Sequence, residues 1–91
     1  MTDIFNLSGR VVFVTGASAG LGRHFVRTLA SAGARLAIGA RRLDRLEALK
    51  KELPGADIVP VALDVTDAES VGGALDRAES ALGPLFALVN N

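Results

Sequence analysis

The sequence predicts an α/β fold in which helices cover both faces of an open parallel sheet. Short apolar runs of strand length alternate with segments whose apolar residues recur at helical spacing, and Gly, Pro or Asp stands at most junctions. The resulting order is βαβαβαβ. Crossovers between parallel strands are right-handed almost without exception, so elements in this order wind into one sheet. We therefore expect a Rossmann-like architecture, of which this chain contains a part.

Four apolar runs are the predicted strands. The first, residues 11–14, is continuous and β-branched, which is typical of a strand buried on both faces. The second and third cover residues 35–39 and 58–63, and Pro60 places the third at or near a sheet edge because proline donates no ladder hydrogen bond. The fourth, residues 85–89, is apolar enough for a central strand, and an open apolar edge there would favour association.

Three segments of helical period separate these strands. The first is expected to end at Gly33, the second at Pro54-Gly55 and the third at Gly83-Pro84, and residues 64–67 supply capping side chains for the third. The apolar residues predicted to form the inner faces are Phe25, Leu29 and Ala32 in the first helix, Leu43, Leu46, Leu49 and Leu53 in the second, and Val71, Leu75, Ala78 and Leu82 in the third.

Length and composition narrow the class of function. The 91 residues, 49% of them hydrophobic, suffice for one small domain and exclude a second. Ten basic and ten acidic side chains are mixed along the chain, so the pattern indicates neither a nucleic-acid nor a membrane partner. No cysteine is present, which excludes disulfide scaffolds and thiol nucleophiles. No signal segment is visible in the sequence, and we expect a cytoplasmic protein.

A glycine-rich segment, Thr-Gly-Ala-Ser-Ala-Gly-Leu-Gly at 15–22, joins the first strand to the first helix. The first glycine permits a tight turn, and the later ones let a pyrophosphate and the helix approach the backbone closely. The helix N-terminus adds unpaired N–H groups and partial positive charge. The alternative is a turn that binds nothing. The residues predicted to bind a dinucleotide here are Gly16, Ser18, Ala19, Gly20, Leu21 and Gly22.

The spacing Gly-x-x-x-Gly-x-Gly after a threonine resembles the cofactor loop of the short-chain dehydrogenase/reductase family. Three further segments resemble that family's landmarks in their usual order: residues 7–12, Leu-Asp-Val-Thr-Asp at 63–67, and Leu-Val-Asn-Asn at 88–91. The resemblance covers all 91 residues. It implies an oxidoreductase that reduces a carbonyl or oxidises an alcohol by hydride transfer. It also implies that Asp64 and Val65 contact the adenine and that Asn90 helps to hold cofactor and sheet, although Asp64 has the alternative of a simple helix cap.

The residues after the second strand indicate which cofactor is used. An acidic side chain about 20 residues beyond the glycine loop would bind the ribose 2′-hydroxyl of NAD, whereas this chain has Arg41 and Arg42. Two guanidinium groups suit a 2′-phosphate, so we expect NADP rather than NAD. The alternative is a solvated start to a charged helix. Ala19 is a departure, because NADP-preferring relatives often carry a basic residue within the glycine loop.

No catalytic or metal-binding residue is assigned within the chain. The family's serine, its Tyr-x-x-x-Lys pair and a further asparagine lie downstream, and this sequence contains no tyrosine. His24, in the first turns of a helix and without metal-ligand spacing, is interpreted as a surface or packing residue. We expect residues 1–91 to be the cofactor-binding half of a larger, homo-oligomeric enzyme, ending within an Asn-Asn-Ala-Gly motif. The alternative is a stand-alone nucleotide-binding or folding module without catalytic activity.

Overall fold

A computed structural model describes residues 7–91 of the chain. The alternating order expected from the sequence is confirmed, with seven elements joined by short connections. These are β1 (Val11–Thr15), α1 (Gly20–Ser31), β2 (Arg35–Ala40), α2 (Leu43–Glu52), β3 (Ile58–Ala62), α3 (Ala68–Leu82) and β4 (Ala87–Val89).

The four strands form one parallel sheet in the order β3-β2-β1-β4. The chain winds outward from β1 to β3 and then crosses back to place β4 on the free side of β1. Pro60 in β3 is opposite Ile38 in β2 and faces no strand on its other side, which confirms the expected edge position. The reversal of winding lies between β1 and β4, and ligands of open α/β sheets bind at the carboxyl ends of strands beside such a switch point.

Two apolar layers sandwich the sheet, because successive side chains of a strand point to opposite faces. Val12 and Val14 of β1 belong to the core shared with α1 and α2. Val11 and Phe13 belong to a second core, shared with α3. All five residues of β1 are buried, as the continuous apolar run predicts for a central strand. The sheet with helices on both faces is therefore the observed architecture.

The faces of all three helices differ in part from those expected. In α2 Leu46 and Leu49 are buried as expected, whereas Leu43, the first residue of the helix, is 44% exposed. In α1 the fully buried side chain is Val26, whereas Phe25 is only partly buried, because Gly22 and Val26 form the stripe pressed against the sheet. In α3 the buried positions are Ala74, Ala78 and Leu82. Val71 and Leu75 are partly buried because they border an open cavity beside β4.

The fourth strand is shorter than the apolar run suggested. Regular pairing covers Ala87–Val89, although the Phe86 N–H already donates to the Val11 carbonyl oxygen at 2.8 Å. The N–H of the preceding residue, Leu85, donates to the Glu79 carboxylate. Leu85 therefore belongs to the turn after α3. Phe86 and Leu88 are each more than half exposed on this edge strand. None of the helices within residues 7–91 has the length and apolar character needed to cross a bilayer.

The turn between β3 and α3 is fixed by two aspartates with different tasks. Asp67 is the N-cap of α3, where its carboxylate accepts hydrogen bonds from the N–H groups of Glu69 and Ser70. Asp64 instead accepts from Thr66 within the turn and does not cap the helix. Asp67 thus accepts hydrogen bonds from two exposed N–H groups in the first turn of α3. Asp64 remains beside the carboxyl end of β3.

Removal of the Asp67 cap is expected to destabilise the protein. Asp67→Ala leaves two backbone donors without their acceptor, which costs about 1 kcal/mol and lowers the melting temperature by about 4–8 °C in a domain of this size. Asp76→Ala is the matched control, since Asp76 is exposed on the same helix and alanine favours helix there. Equal melting temperatures for the two variants would contradict the capping role.

Candidate functional site

A polar cavity of about 260 Å³ opens at the carboxyl ends of the strands. The glycine loop forms one wall, the end of β2 a second, and the turn after β3 a third. This is the edge at which loops after parallel strands converge. The lining residues are Gly16, Ser18, Gly39, Ala40, Arg41, Leu63, Asp64, Val65, Thr66 and Asn91.

The glycine loop turns sharply off β1 and is tied to the neighbouring strand. Gly16 has φ +63°, a left-handed conformation that glycine adopts without strain. The next residue, Ala17, is fully buried, and its N–H donates to the Gly39 carbonyl oxygen at 3.2 Å. A Cβ built on Gly22 would lie 2.0 Å from the Gly16 carbonyl oxygen. The helix can therefore come this close to the loop only because position 22 lacks a side chain.

The first turn of α1 carries backbone donors without side-chain acceptors. Ala19 is the N-cap residue and makes no side-chain capping bond, and no acidic residue stands in the first turn. These N–H groups and the positive end of the helix dipole favour an anion. Ser18 brings a hydroxyl to the cavity wall, while Leu21 is 60% exposed on the helix surface. The arrangement is suited to binding a phosphate group through the backbone.

A single threonine connects the ends of β1 and β4. The Thr15 hydroxyl donates to the Asn90 side-chain oxygen at 2.9 Å and accepts from the Asn91 N–H at 3.2 Å. The Asn91 side-chain amide in turn donates to the Gly16 carbonyl oxygen at 3.3 Å. Thr15 is buried, so its own two bonds are partly shielded from water, whereas the bond from Asn91 to Gly16 is exposed. They hold the segment after β4 against the glycine loop.

Asn90 itself borders a second, more apolar cavity of about 250 Å³ between α3 and the edge of β4. Phe13, Leu75 and Leu88 line this cavity, and Val65 lies between it and the polar one. The structure therefore places Asn90 beside the polar cavity rather than within its wall. Its neighbour Asn91, which the sequence did not single out, is the asparagine in that wall.

The turn after β3 presents a carboxylate that stays ionised. The pKa of Asp64 is lowered, mainly because its carboxylate accepts hydrogen bonds from the Thr66 hydroxyl at 2.7 Å and the Thr66 N–H at 3.0 Å. The positive charge of Arg41 contributes in the same direction. The Asp64 N–H donates to the Ser70 hydroxyl, which anchors the turn to α3. These bonds hold Asp64 and Val65 in fixed positions at the cavity.

The two arginines after β2 occupy different environments. Arg41 lines the polar cavity and makes no side-chain hydrogen bond or salt bridge with any residue in the described range 7–91. Arg42 lies outside that wall and is paired with Asp44, its Nε and Nη2 atoms reaching the two carboxylate oxygens at 3.1 and 3.0 Å. Of these two arginines, Arg41 is the one that brings to the cavity a guanidinium with no side-chain partner among residues 7–91.

Most of the residues singled out in the sequence meet at this one edge of the sheet. The cavity brings together Gly16, Ser18, Arg41, Asp64 and Val65, while positions 19–22 form the adjacent helix start. Sequence reasoning missed Gly39, Ala40, Leu63, Thr66 and Asn91 as lining residues. Their position in the chain could have indicated them, because each lies at or just beyond the carboxyl end of a strand, where ligands of parallel sheets bind.

Histidine and carboxylate groups form no recognisable metal centre in the part of the chain that the structure describes. Within residues 7–91 no group of three or more such side chains is close enough to hold an ion. His24 is exposed on α1, where its ring lies 6.5 Å from that of Phe25. It is not among the residues that line the cavity.

The parallel α/β sheet with a glycine loop between β1 and α1 defines the Rossmann-like class, and comparison with known proteins identifies the family. The family model described as short chain dehydrogenase matches residues 10–91. The chain therefore belongs to the short-chain dehydrogenase/reductase family of oxidoreductases. Members of this family bind nicotinamide dinucleotide cofactors.

Individual relatives agree with this assignment. The chain is 48% identical over 85 residues to glycine betaine reductase of Emericella nidulans, covering 91% of this chain and 7% of that protein. It is 44% identical over 85 residues to human L-xylulose reductase, covering 93% of this chain and 32% of that protein. A hydroxysteroid dehydrogenase from Escherichia coli superposes with a TM-score of 0.95 at 30% identity, over 100% of this chain and 39% of that one. The chain thus spans well under half the length of these relatives.

The close contact between helix and loop predicts a marked effect of a single methyl group. Gly22→Ala forces the helix away from the Gly16 carbonyl, and such overpacking costs about 1–3 kcal/mol. Gly72→Ala is the control, because no atom lies within 4 Å of a Cβ there and alanine in a helix interior gains about 0.5–1 kcal/mol. Urea unfolding should therefore move the midpoints of the two variants in opposite directions. A Gly22→Ala midpoint at or above that of the parent protein would show that the contact is unimportant.

Proposed function

We propose that this chain supplies the cofactor site of an NADP-dependent short-chain dehydrogenase/reductase that reduces a carbonyl or oxidises an alcohol. Residues 1–91 would then be the dinucleotide-binding half of one larger domain. The observation that carries the choice of cofactor is Arg41, the unpaired guanidinium in the wall of the polar cavity. The bound cofactor supplies the hydride chemistry, and the residues described here bind and orient it.

The pyrophosphate is assigned to the start of α1. Bare backbone at Gly16 and Gly22, the uncapped N–H groups of the first turn and the Ser18 hydroxyl suit a doubly charged group. Ala19, Gly20 and Leu21 complete this segment, with Leu21 covering the helix start. Ala19 offers no cation here, so the backbone and the helix dipole carry the attraction.

The adenosine half is assigned to the wall formed by β2 and the turn after β3. Asp64 and Val65 lie there, and the carboxylate of Asp64 can accept hydrogen bonds from an adenine amino group. Arg41 lines the same cavity, just beyond the end of β2, where a ribose 2′-substituent is expected. Asn90, held by Thr15, orders the strand end on the nicotinamide side.

A positively charged side chain at position 41 favours a 2′-phosphate over a 2′-hydroxyl. Each charge-assisted hydrogen bond from a guanidinium contributes about 1.5–3 kcal/mol, or roughly ten- to one-hundred-fold in affinity. The acidic residue that would bind the hydroxyl in an NAD site is replaced by Ala40 and two arginines. NADP is therefore the favoured cofactor.

The test measures the contribution of the 2′-phosphate alone. Calorimetric titration of the purified protein with 2′,5′-ADP and with 5′-AMP gives two dissociation constants, and we expect the phosphorylated probe to bind more tightly. Arg41→Ala should reduce that preference by about tenfold or more, because the phosphate loses its cationic partner. Parallel titrations with NADPH and NADH should show the same loss.

Arg45→Ala serves as the matched control, since Arg45 is exposed on α2 and does not line the cavity. The preference of the Arg45→Ala variant for 2′,5′-ADP should stay within about twofold of the parent value, because Arg45 is an exposed charge outside the cavity wall. An unchanged preference in Arg41→Ala would remove Arg41 from the site. Equal binding of the two probes by the parent protein would refute the choice of NADP.

A further inference from the structure

The pairing of Arg42 with Asp44 distinguishes two arginines that are adjacent in sequence. Arg42 is the N-cap residue of α2, and Asp44 lies in the first turn of the same helix. The guanidinium meets the carboxylate in a two-pronged arrangement, Nε to one oxygen at 3.1 Å and Nη2 to the other at 3.0 Å. This geometry uses the donor face that would otherwise bind a phosphate.

The position of Asp44 on the helix keeps the pair together. A carboxylate in the first turn is stabilised by the helix dipole, and the backbone holds it two residues from its partner. The pKa of Asp44 is lowered and that of Arg42 raised, in each case chiefly by the hydrogen bond between them, so both groups stay charged. Arg42, whose guanidinium is bonded to Asp44, is not among the residues that line the polar cavity, whereas Arg41 is.

We infer that Asp44 is a specificity-determining residue, whose carboxylate keeps Arg42 away from the 2′-phosphate position and leaves Arg41 as the single arginine that binds there. This inference rests on the proposed NADP site. Asp44 thereby limits how strongly the protein discriminates between a 2′-phosphate and a 2′-hydroxyl. Its removal would add a second guanidinium to the same anion.

The balance of interactions favours this transfer. Both side chains of the pair are largely exposed, at 62% for Arg42 and 67% for Asp44, so replacing Asp44 costs little stability and the variant should stay folded. A phosphate carries more charge than a carboxylate and offers three acceptor oxygens, so it competes well for a freed guanidinium. Arg42 follows Arg41 directly in the chain, and its long side chain has several rotatable bonds with which to approach the same anion.

The experiment neutralises Asp44 and measures discrimination by binding. In Asp44→Asn the ratio of the dissociation constants for 5′-AMP and 2′,5′-ADP should rise by about three- to tenfold over the parent protein, less than a fully shielded charge-assisted contact gives because Arg42 is largely exposed. Asp44→Ser is the second variant, since serine is also well tolerated at a helix start. Circular dichroism and thermal melting show that each variant is folded. An unchanged or smaller ratio in the folded variants would overturn the inference.

A double variant tests whether the gain acts through Arg42. Arg42→Ala alone should change the ratio by less than about twofold, because the paired guanidinium does not contribute. Arg42→Ala combined with Asp44→Asn should lose the gain, and a gain that persists in the double variant would show a general charge effect instead. Asp57→Asn is the matched charge control. Asp57 lies just before β3 and also pairs with an arginine, Arg35, the first residue of β2. Its ratio should equal that of the parent.

The outcomes separate this inference from the proposed function. If Arg41→Ala lowers the ratio while Asp44→Asn leaves it unchanged, the NADP site stands and the role of Asp44 is refuted. If the parent protein does not discriminate and Arg41→Ala has no effect, both proposals fail. A lower ratio in Asp44→Asn would mean that Asp44 orients Arg42 toward the phosphate, which is the opposite of the role inferred here.

Discussion

The first turn of α1 packs against the Gly16 carbonyl so closely that a Cβ on Gly22 would come within 2.0 Å of that oxygen. This contact sets the direction of the helix and therefore the direction of its unpaired N–H groups. Beside this contact the chain leaves β1 through Gly16 at φ +63°, a left-handed conformation that glycine adopts without strain. The absence of a side chain at Gly22 brings the helix start close to the end of the sheet. The polar cavity opens beside this exposed backbone. A phosphate site of this kind depends on backbone geometry more than on any charged side chain.

The same strand end is held from the other side by Thr15. Its hydroxyl both donates to Asn90 and accepts from the Asn91 N–H, so β4 and the glycine loop are ordered by one buried group. The sheet reverses its winding at this point, since β1 pairs with β2 on one side and β4 on the other. The open crevice at the reversal is a consequence of topology. The hydrogen bonds of Thr15 hold the end of β4 beside the glycine loop at this crevice. Fold and site are thus determined by the same few contacts.

Much of this arrangement is readable in the sequence, and the remainder depends on side-chain geometry. The β-branched run at 11–14, the glycine after α1 and the proline in β3 each act locally, so the strands, the helix end and the sheet edge were predictable. The inner face of α1 was misplaced at Phe25 because periodicity cannot register the close approach of Gly22, which rotates the buried stripe toward Val26. Asp64 and Asp67 are equally good caps by residue type, and only the hydrogen bonds assign the cap to Asp67. Arg41 and Arg42 are likewise the same by residue type, and only the structure shows that Arg42 is paired with Asp44 and that Arg41 lines the cavity.

That last pair shows why charge counting alone does not decide cofactor choice. Arg41 and Arg42 have two aspartates, Asp44 and Asp64, as neighbours at this edge of the sheet. Discrimination between a phosphate and a hydroxyl must then come from which charges are already engaged. Asp44 is paired with Arg42, whereas Asp64 keeps its charge, because Thr66 is neutral, and lines the cavity together with Arg41. An arginine without a bonded carboxylate can therefore bind a ligand phosphate, while its neighbour is engaged in an ion pair.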